Sequence, residues 1–247
     1  MLLLPTSDGE RLAAQVLPGG HDWVVLAHGF SGSLRKPALQ RIARRLSAYG
    51  TVLAYDARGH GGSSGVSTLG DREVLDVDAA VRHAREAGAR SVVSVGFSMG
   101  GSTVLRQAAL GQPRPDAVVS VSAPSRWFVR DTVPMRRLHR VVETRTGRVF
   151  ARGVMRTRIS AVAWDPVPAS PLEVVGRIAP LPLLLVHGDR DAYFAKEHAV
   201  ALHEAAGEPA ELWLEPGFGH AEAAISAGLV DRIGAHLSVL LGRRAAA

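Results

Sequence analysis

Short β-branched runs alternate with longer stretches of helical apolar spacing along almost the whole chain, and this alternation most restricts the fold. Trp23–Ala27, Thr51–Tyr55, Ser91–Gly96, Ala117–Val121, Pro180–Val186 and Ala210–Leu214 read as strands too apolar for a one-sided sheet. Between them, Ala38–Ala48, Glu73–Ala87, Gly100–Leu110 and Ala195–Ala206 repeat apolar residues at helical spacing, and Ala221–Leu241 reads as one long final helix. Strands buried on both faces and joined by helical crossovers give a mostly parallel α/β sheet with helices on both sides. Leu2–Leu4 and Arg11–Leu17 flank Ser7-Asp8-Gly9 and read as an opening antiparallel pair. All 247 residues are expected to form a single domain, 1–247.

One segment breaks the rhythm. Residues 126–168 show no strand alternation and hold ten arginines against Asp131, Glu143 and Asp165, a net charge of +7 where the whole chain carries +6. Replacing a plain crossover between core strands, the segment is expected to form a lid over the C-terminal edge of the sheet, where open α/β sheets bind ligands. Its aromatics Trp127, Phe128, Phe150 and Trp164 are read as lining an apolar pocket rather than as stacking on nucleic-acid bases. Its charge would draw an anionic substrate.

The strongest local motif is Gly96-Phe97-Ser98-Met99-Gly100, placed between a strand and a helix. A nucleophile on so tight a turn needs neighbours without Cβ atoms. A serine hydroxyl also needs a general base, and the base needs a carboxylate to hold its tautomer. Of the histidines after Ser98, His220 lies in the glycine-rich turn Glu215–His220 between the last strand and the last helix, which lets its ring reach the sheet edge. His198, His203 and His236 fall inside helices and His139 in the insert, so packing or solvation accounts for them, and His187 reads as structural. For the acid, His187-Gly188-Asp189-Arg190-Asp191 offers two candidates; Asp191 is preferred because it lies far enough past the strand to turn back toward His220, with Asp189 shaping the turn. A developing oxyanion needs two N–H donors, assigned to Met99 after the nucleophile and to Phe30 in His28-Gly29-Phe30.

These pieces, with Tyr55-Asp56-Ala57-Arg58-Gly59-His60-Gly61-Gly62-Ser63, resemble the α/β-hydrolase superfamily over nearly the whole chain, and specifically its small bacterial esterases with a short lid. Tyr193-Phe194 departs from the Val-Pro pair that many members carry after the acid. The resemblance implies an acyl-enzyme on Ser98, with a carboxylic ester or thioester as substrate, Phe30, Trp127, Phe128 and Trp164 around it, and Asp56 and Arg58 as structural residues. Lactone hydrolysis, carbon–carbon bond hydrolysis and perhydrolysis use the same parts, and a ligand-binding protein on this scaffold is the reading from another class. No cysteine, metal-ligand cluster or dinucleotide fingerprint is present in the sequence, so no cofactor and no metal are expected. With no leader and no membrane span legible, a soluble cytoplasmic protein is expected, and the sequence does not give its oligomeric state.

Overall fold

A computed structural model describes residues 2–244, so Met1 and residues 245–247 of the expected domain lie outside the described residues. Eight strands form one sheet: β1 (Leu2–Pro5), β2 (Arg11–Leu17), β3 (Asp22–Ala27), β4 (Thr51–Tyr55), β5 (Ser91–Phe97), β6 (Ala117–Val121), β7 (Leu183–Gly188) and β8 (Ala210–Glu215). Their spatial order is β1-β2-β4-β3-β5-β6-β7-β8, with β2 antiparallel to both of its neighbours, β1 and β4, and every other pair parallel. The chain thus reverses direction across the sheet around β3 and β5, which opens a crevice at their C-terminal ends.

Side chains divide between the two faces with period two. Val24, Leu26, Val93, Val95, Phe97, Val119, Val121, Leu184 and Val186 point to one face, where α1 (Pro37–Leu46) and α9 (Ala227–Arg244) cover them. Val25, Ala27, Leu53, Tyr55, Val92, Val118, Leu183 and Leu185 point to the other, covered by α2 (Glu73–Glu86), α3 (Met99–Leu110) and α7 (Glu197–Ala206). Both layers are closed, which is why the strands read as continuous apolar runs rather than alternating ones.

Three details depart from the sequence reading. The strand expected at Pro180–Val186 begins at Leu183, since Pro180 and Pro182 have no N–H for a ladder. The expected single final helix is two, α8 (Ala221–Ala224) and α9, with Ile225 extended and buried between them. Ser226 then accepts from Leu229 N–H at 3.1 Å, a serine cap that starts the second helix afresh. The insert also touches the core through isolated bridges, His60 with Thr157 and Ser67 with Ile159.

Within the insert lie α4 (Val133–Glu143), capped by Thr132, and α5 (Arg145–Phe150), capped by Thr144, followed by a π-helical turn over Ala151–Met155. A short α6 (Pro171–Val174) leads back to β7. No helix of the described residues is long and apolar enough to cross a membrane.

Candidate active site

At the end of β5 the chain turns through Ser98, which has φ 52° and ψ −114°, straight into α3. Such a conformation costs roughly 1–3 kcal/mol for a residue with a side chain and persists only where its surroundings enforce it. They do so here by close approach: a Cβ on Gly96 would stand 2.2 Å from the Gly100 carbonyl oxygen, and one on Gly100 would stand 2.4 Å from that of Ala27. Ser98 N–H donates to Val121 O at 2.8 Å, fixing the turn to the neighbouring strand.

His220 Nε2 lies 2.9 Å from Ser98 Oγ and its Nδ1 lies 2.7 Å from Asp191 Oδ2. Asp191, with no exposed side-chain surface, also accepts from the N–H groups of Tyr193 at 2.8 Å and Phe194 at 3.1 Å. Burial works to raise the Asp191 carboxyl, but the bond from His220, its charge and the two main-chain donors outweigh that and hold it below the usual range. An ionised Asp191 accepts the Nδ1 proton, so Nε2 presents its lone pair to the Ser98 hydroxyl. Tyr193 stacks on the His220 ring with centroids 4.4 Å apart, and Phe194 meets its edge at 5.5 Å. The pair that departs from Val-Pro therefore packs against the His220 ring.

The other acid candidate points elsewhere. Asp189 is exposed, and its Oδ1 accepts from Gly217 N–H at 2.7 Å, pinning the turn that leads to His220. His187 meets Phe194 O at 3.0 Å, buried behind Asp191. His198 is buried against Ser125, His236 pairs with Glu211, and His139 pairs with Glu143.

Phe30 N–H belongs to the same peptide unit as Gly29 C=O. That carbonyl accepts from His28 Nδ1 at 2.7 Å and from Gly32 N–H at 2.9 Å, while His28 Nε2 accepts from Ala57 N–H at 3.0 Å. The imidazole is thereby held in its Nδ1–H form. Ser31 N–H donates to His60 Nε2 at 3.2 Å, and His60 Nδ1 meets Arg58 O at 2.9 Å. Burial lowers the His60 pKa to about 3, so this ring is neutral at ordinary pH. Asp56 accepts from Leu34 N–H at 2.6 Å and Gly62 N–H at 2.8 Å, and buried Arg58 pairs with Asp8 and Asp76 at 2.8 Å each. The Arg58 bond holds Asp8 down at about 2, while burial pushes Asp76 up to about 7 against the pull of the same guanidinium.

A cavity of about 480 Å³ opens beside Ser98 and Met99. Phe30 and the insert residues Trp127, Phe128 and Trp164 all line it, as do Leu69, Met135, Leu138, Val142 and Ile159. Trp127 and Trp164 donate their indole N–H groups to Pro168 O at 2.7 Å and Thr68 O at 2.9 Å, and their rings pack 5.2 Å apart. Phe150, expected with them, is instead 51% exposed and absent from the wall, because α5 turns that side chain outward. The lining arginines are already engaged: Arg126 pairs with Asp131, and Arg148 bonds the carbonyls of Val142 and Glu143.

Four residues around the site have no part in the sequence reading. Glu73 is buried and gathers Ser67 Oγ, Thr68 N–H and Oγ1, and Gly70 N–H, shaping the loop under Trp164. Arg106, the only charged residue of α3, ties that loop and Ala169 O to the helix; that isolation was a visible signal. Ser122 and Glu222 support the turns around His220 and Phe30, and no pattern in the sequence marks them. Among the described residues no group of three or more His, Cys, Asp or Glu could hold a metal ion.

The family model described as serine aminopeptidase, S33, matches residues 20–168, which include the Ser98 turn and the insert. No curated protein sequence matches the chain. Among solved structures, the esterase Pf2001 of Pyrococcus furiosus is 22% identical, with 96% of this chain and 91% of that one covered and a TM-score of 0.74. Est1E from Butyrivibrio proteoclasticus, solved with ferulic acid bound, is 20% identical over 97% and 98% of the two chains, with a TM-score of 0.65. The α/β hydrolase GrgF from Penicillium sp. sh18 is 21% identical over 100% and 98%, with a TM-score of 0.72. At these identities the likeness is one of fold.

Proposed function

The chain belongs to the serine aminopeptidase S33 family of α/β hydrolases, and from that premise we propose that it cleaves a carboxylic ester or thioester through an acyl-enzyme on Ser98. The observation that carries this reading is the continuous hydrogen-bonded chain Ser98–His220–Asp191, with contacts of 2.9 and 2.7 Å. As Ser98 Oγ attacks the acyl carbon, His220 Nε2 takes its proton and Asp191 steadies the imidazolium. Phe30 N–H and Met99 N–H receive the carbonyl oxygen as it gains charge. His220 then passes the proton to the departing alcohol or thiol. In the second half, water attacks the acyl carbon, gives its proton to His220, and Ser98 leaves with that proton as the acid is released.

The acyl group occupies the aromatic-walled cavity, whose volume and lining suit a medium-length aliphatic or an aromatic acid. Residues 126–168 act as the lid of a single-domain enzyme and supply most of that wall. An ester fits better than a peptide with a free amino terminus, because Glu143, the carboxylate in the lining, is already bonded to Arg130 and His139. Arg136, Arg137, Arg140, Arg145, Arg152 and Arg156 are exposed, so the charge of the insert acts on the approach of an anionic substrate rather than inside the cavity.

The test is intact mass after exposure to a fluorophosphonate, on wild type and on Ser98→Ala. One adduct on wild type and none on the variant supports the reading. A well-folded wild type that takes no adduct overturns it.

A further inference from the structure

The oxyanion loop is fixed by three sets of contacts, and two of them come from its own neighbourhood, His28 with Gly32 and His60. The third comes from 193 residues away. Glu222 Oε1 accepts the Gly29 N–H at 2.5 Å, and Glu222 lies two residues past His220 on the turn that carries the base. We infer that Glu222 is a positioning residue that sets the Phe30 N–H relative to His220, an inference that rests on the ester-hydrolase reading of this site.

The reason lies in Gly29. A Cβ there would stand 3.2 Å from Glu222 Oε2, 3.2 Å from Ser98 Cβ and 3.3 Å from Phe97 O, so the loop passes the nucleophile closely enough to leave little room for a side chain. Glycine is also the residue with the widest choice of φ and ψ, and rotation about Gly29 swings the following peptide, which bears the Phe30 donor. The carboxylate removes that freedom with a charge-assisted bond to the N–H at one end of the residue, while His28 and Gly32 hold the carbonyl at the other. Because Glu222 travels with His220, the same bond keeps base and oxyanion donor in register. An error near 1 Å in such a constellation is costly in rate and nearly silent in substrate binding.

Glu222→Ala and Glu222→Asp, the latter one methylene too short to reach, should each lower kcat by between about tenfold and a hundredfold with KM within about threefold. Glu222→Gln keeps an acceptor oxygen at the same reach and should stay within about threefold of wild type. Affinity for an alkyl boronic acid, which forms a tetrahedral adduct on the serine, should fall with kcat across the series. Melting temperatures report any variant that fails to fold, and the contrast between Asp and Gln stands apart from the Ala variant. Fluorophosphonate labelling of wild type separates the two levels of the argument. If wild type does not label at Ser98, the hydrolase reading itself fails. If wild type labels but the Asp and Ala variants match it in kcat and boronate affinity, Glu222 has no positioning role and the hydrolase reading stands.

Discussion

Ala221 N–H donates to the Ser122 hydroxyl across 3.1 Å, joining two residues that both sit at positive φ, 50° and 53°. One follows His220 and the other lies just past β6, beside the strand that leads into Ser98, so the bond holds the His220 turn against β6. Ser122 is itself fixed by its N–H to Val186 O at 2.9 Å.

Removing that acceptor should loosen the base. Ser122→Ala leaves a buried N–H without its partner, a loss of about 1–3 kcal/mol, and frees Ala221 to relax its strain. We expect a lower melting temperature together with a fall in kcat of about tenfold at nearly constant KM. Thermal unfolding and steady-state kinetics on one ester check both, and an unchanged kcat would show that His220 needs no such support.

The two acids of the β7 loop should separate cleanly. Asp191→Asn cannot hold the Nδ1–H tautomer and should lower kcat by roughly a thousandfold or more, with fluorophosphonate labelling slowed alongside. Asp189→Asn keeps an oxygen for Gly217 N–H and should stay within about threefold of wild type. Equal losses at both positions would undo the assignment of the acid.

Acid should destabilise the fold through His60. Its pKa falls from 6.5 to about 3 on burial, so the folded state holds the neutral ring while the unfolded chain takes up a proton. The stability this represents is complete above 6.5 and is lost as pH falls from there toward about 3, at up to about 1.4 kcal/mol per unit. Asp76, raised from 3.8 to about 7, acts in the opposite sense, since the folded state takes up its proton first and gains stability as pH falls through that range. Asp8, lowered from 3.8 to about 2, adds a loss below 3.8. Urea unfolding of wild type and of His60→Gln over a pH series isolates the imidazole. The difference in stability between them should shift toward the variant as pH falls from 6 to 4, and a difference that does not change with pH would contradict it.

Cavity shape should govern acyl preference. Trp164→Ala removes a wall and its anchor on Thr68 O. We expect KM for an aromatic or medium-chain ester to rise about tenfold, from the loss of roughly 1–2 kcal/mol of apolar contact, while an acetyl ester is hardly affected. A panel of esters of one alcohol measures it; parallel losses for every acyl length would place the acyl group elsewhere.

The succession of strands and helices, the two helical layers and the tight turn at Ser98 were legible because burial on two faces and close backbone approach leave marks in residue type, whereas the spatial order of the strands was not. That Ser98, Asp191 and His220 would meet was legible since each follows a strand and therefore reaches the same sheet edge. The break between α8 and α9 was hidden: Ile225 keeps the apolar period while its backbone leaves the helix. Glu222 was equally hidden, since its partner is a main-chain N–H brought near only by the whole sheet. Phe150 was misplaced because an aromatic in an insert gives no sign of which face of a short helix it will occupy.

The cavity wall is supplied mainly by a contiguous stretch of chain, whereas Asp191 and His220 stand outside it on other loops. That stretch is moored to the core chiefly near its far end, by the Trp164 N–H bond to Thr68 O, by Arg158 to the carbonyls of Ser63 and Gly65, and by main-chain bonds of residues 158–160 with Gly59 and Ser67. On the proposed reading, mutational drift between those moorings can change which acids are admitted without disturbing how the bond is cut. Descendants of this chain could diverge in diet while keeping one chemistry, and a transplanted insert that preserves the moorings should carry its donor's preference with it.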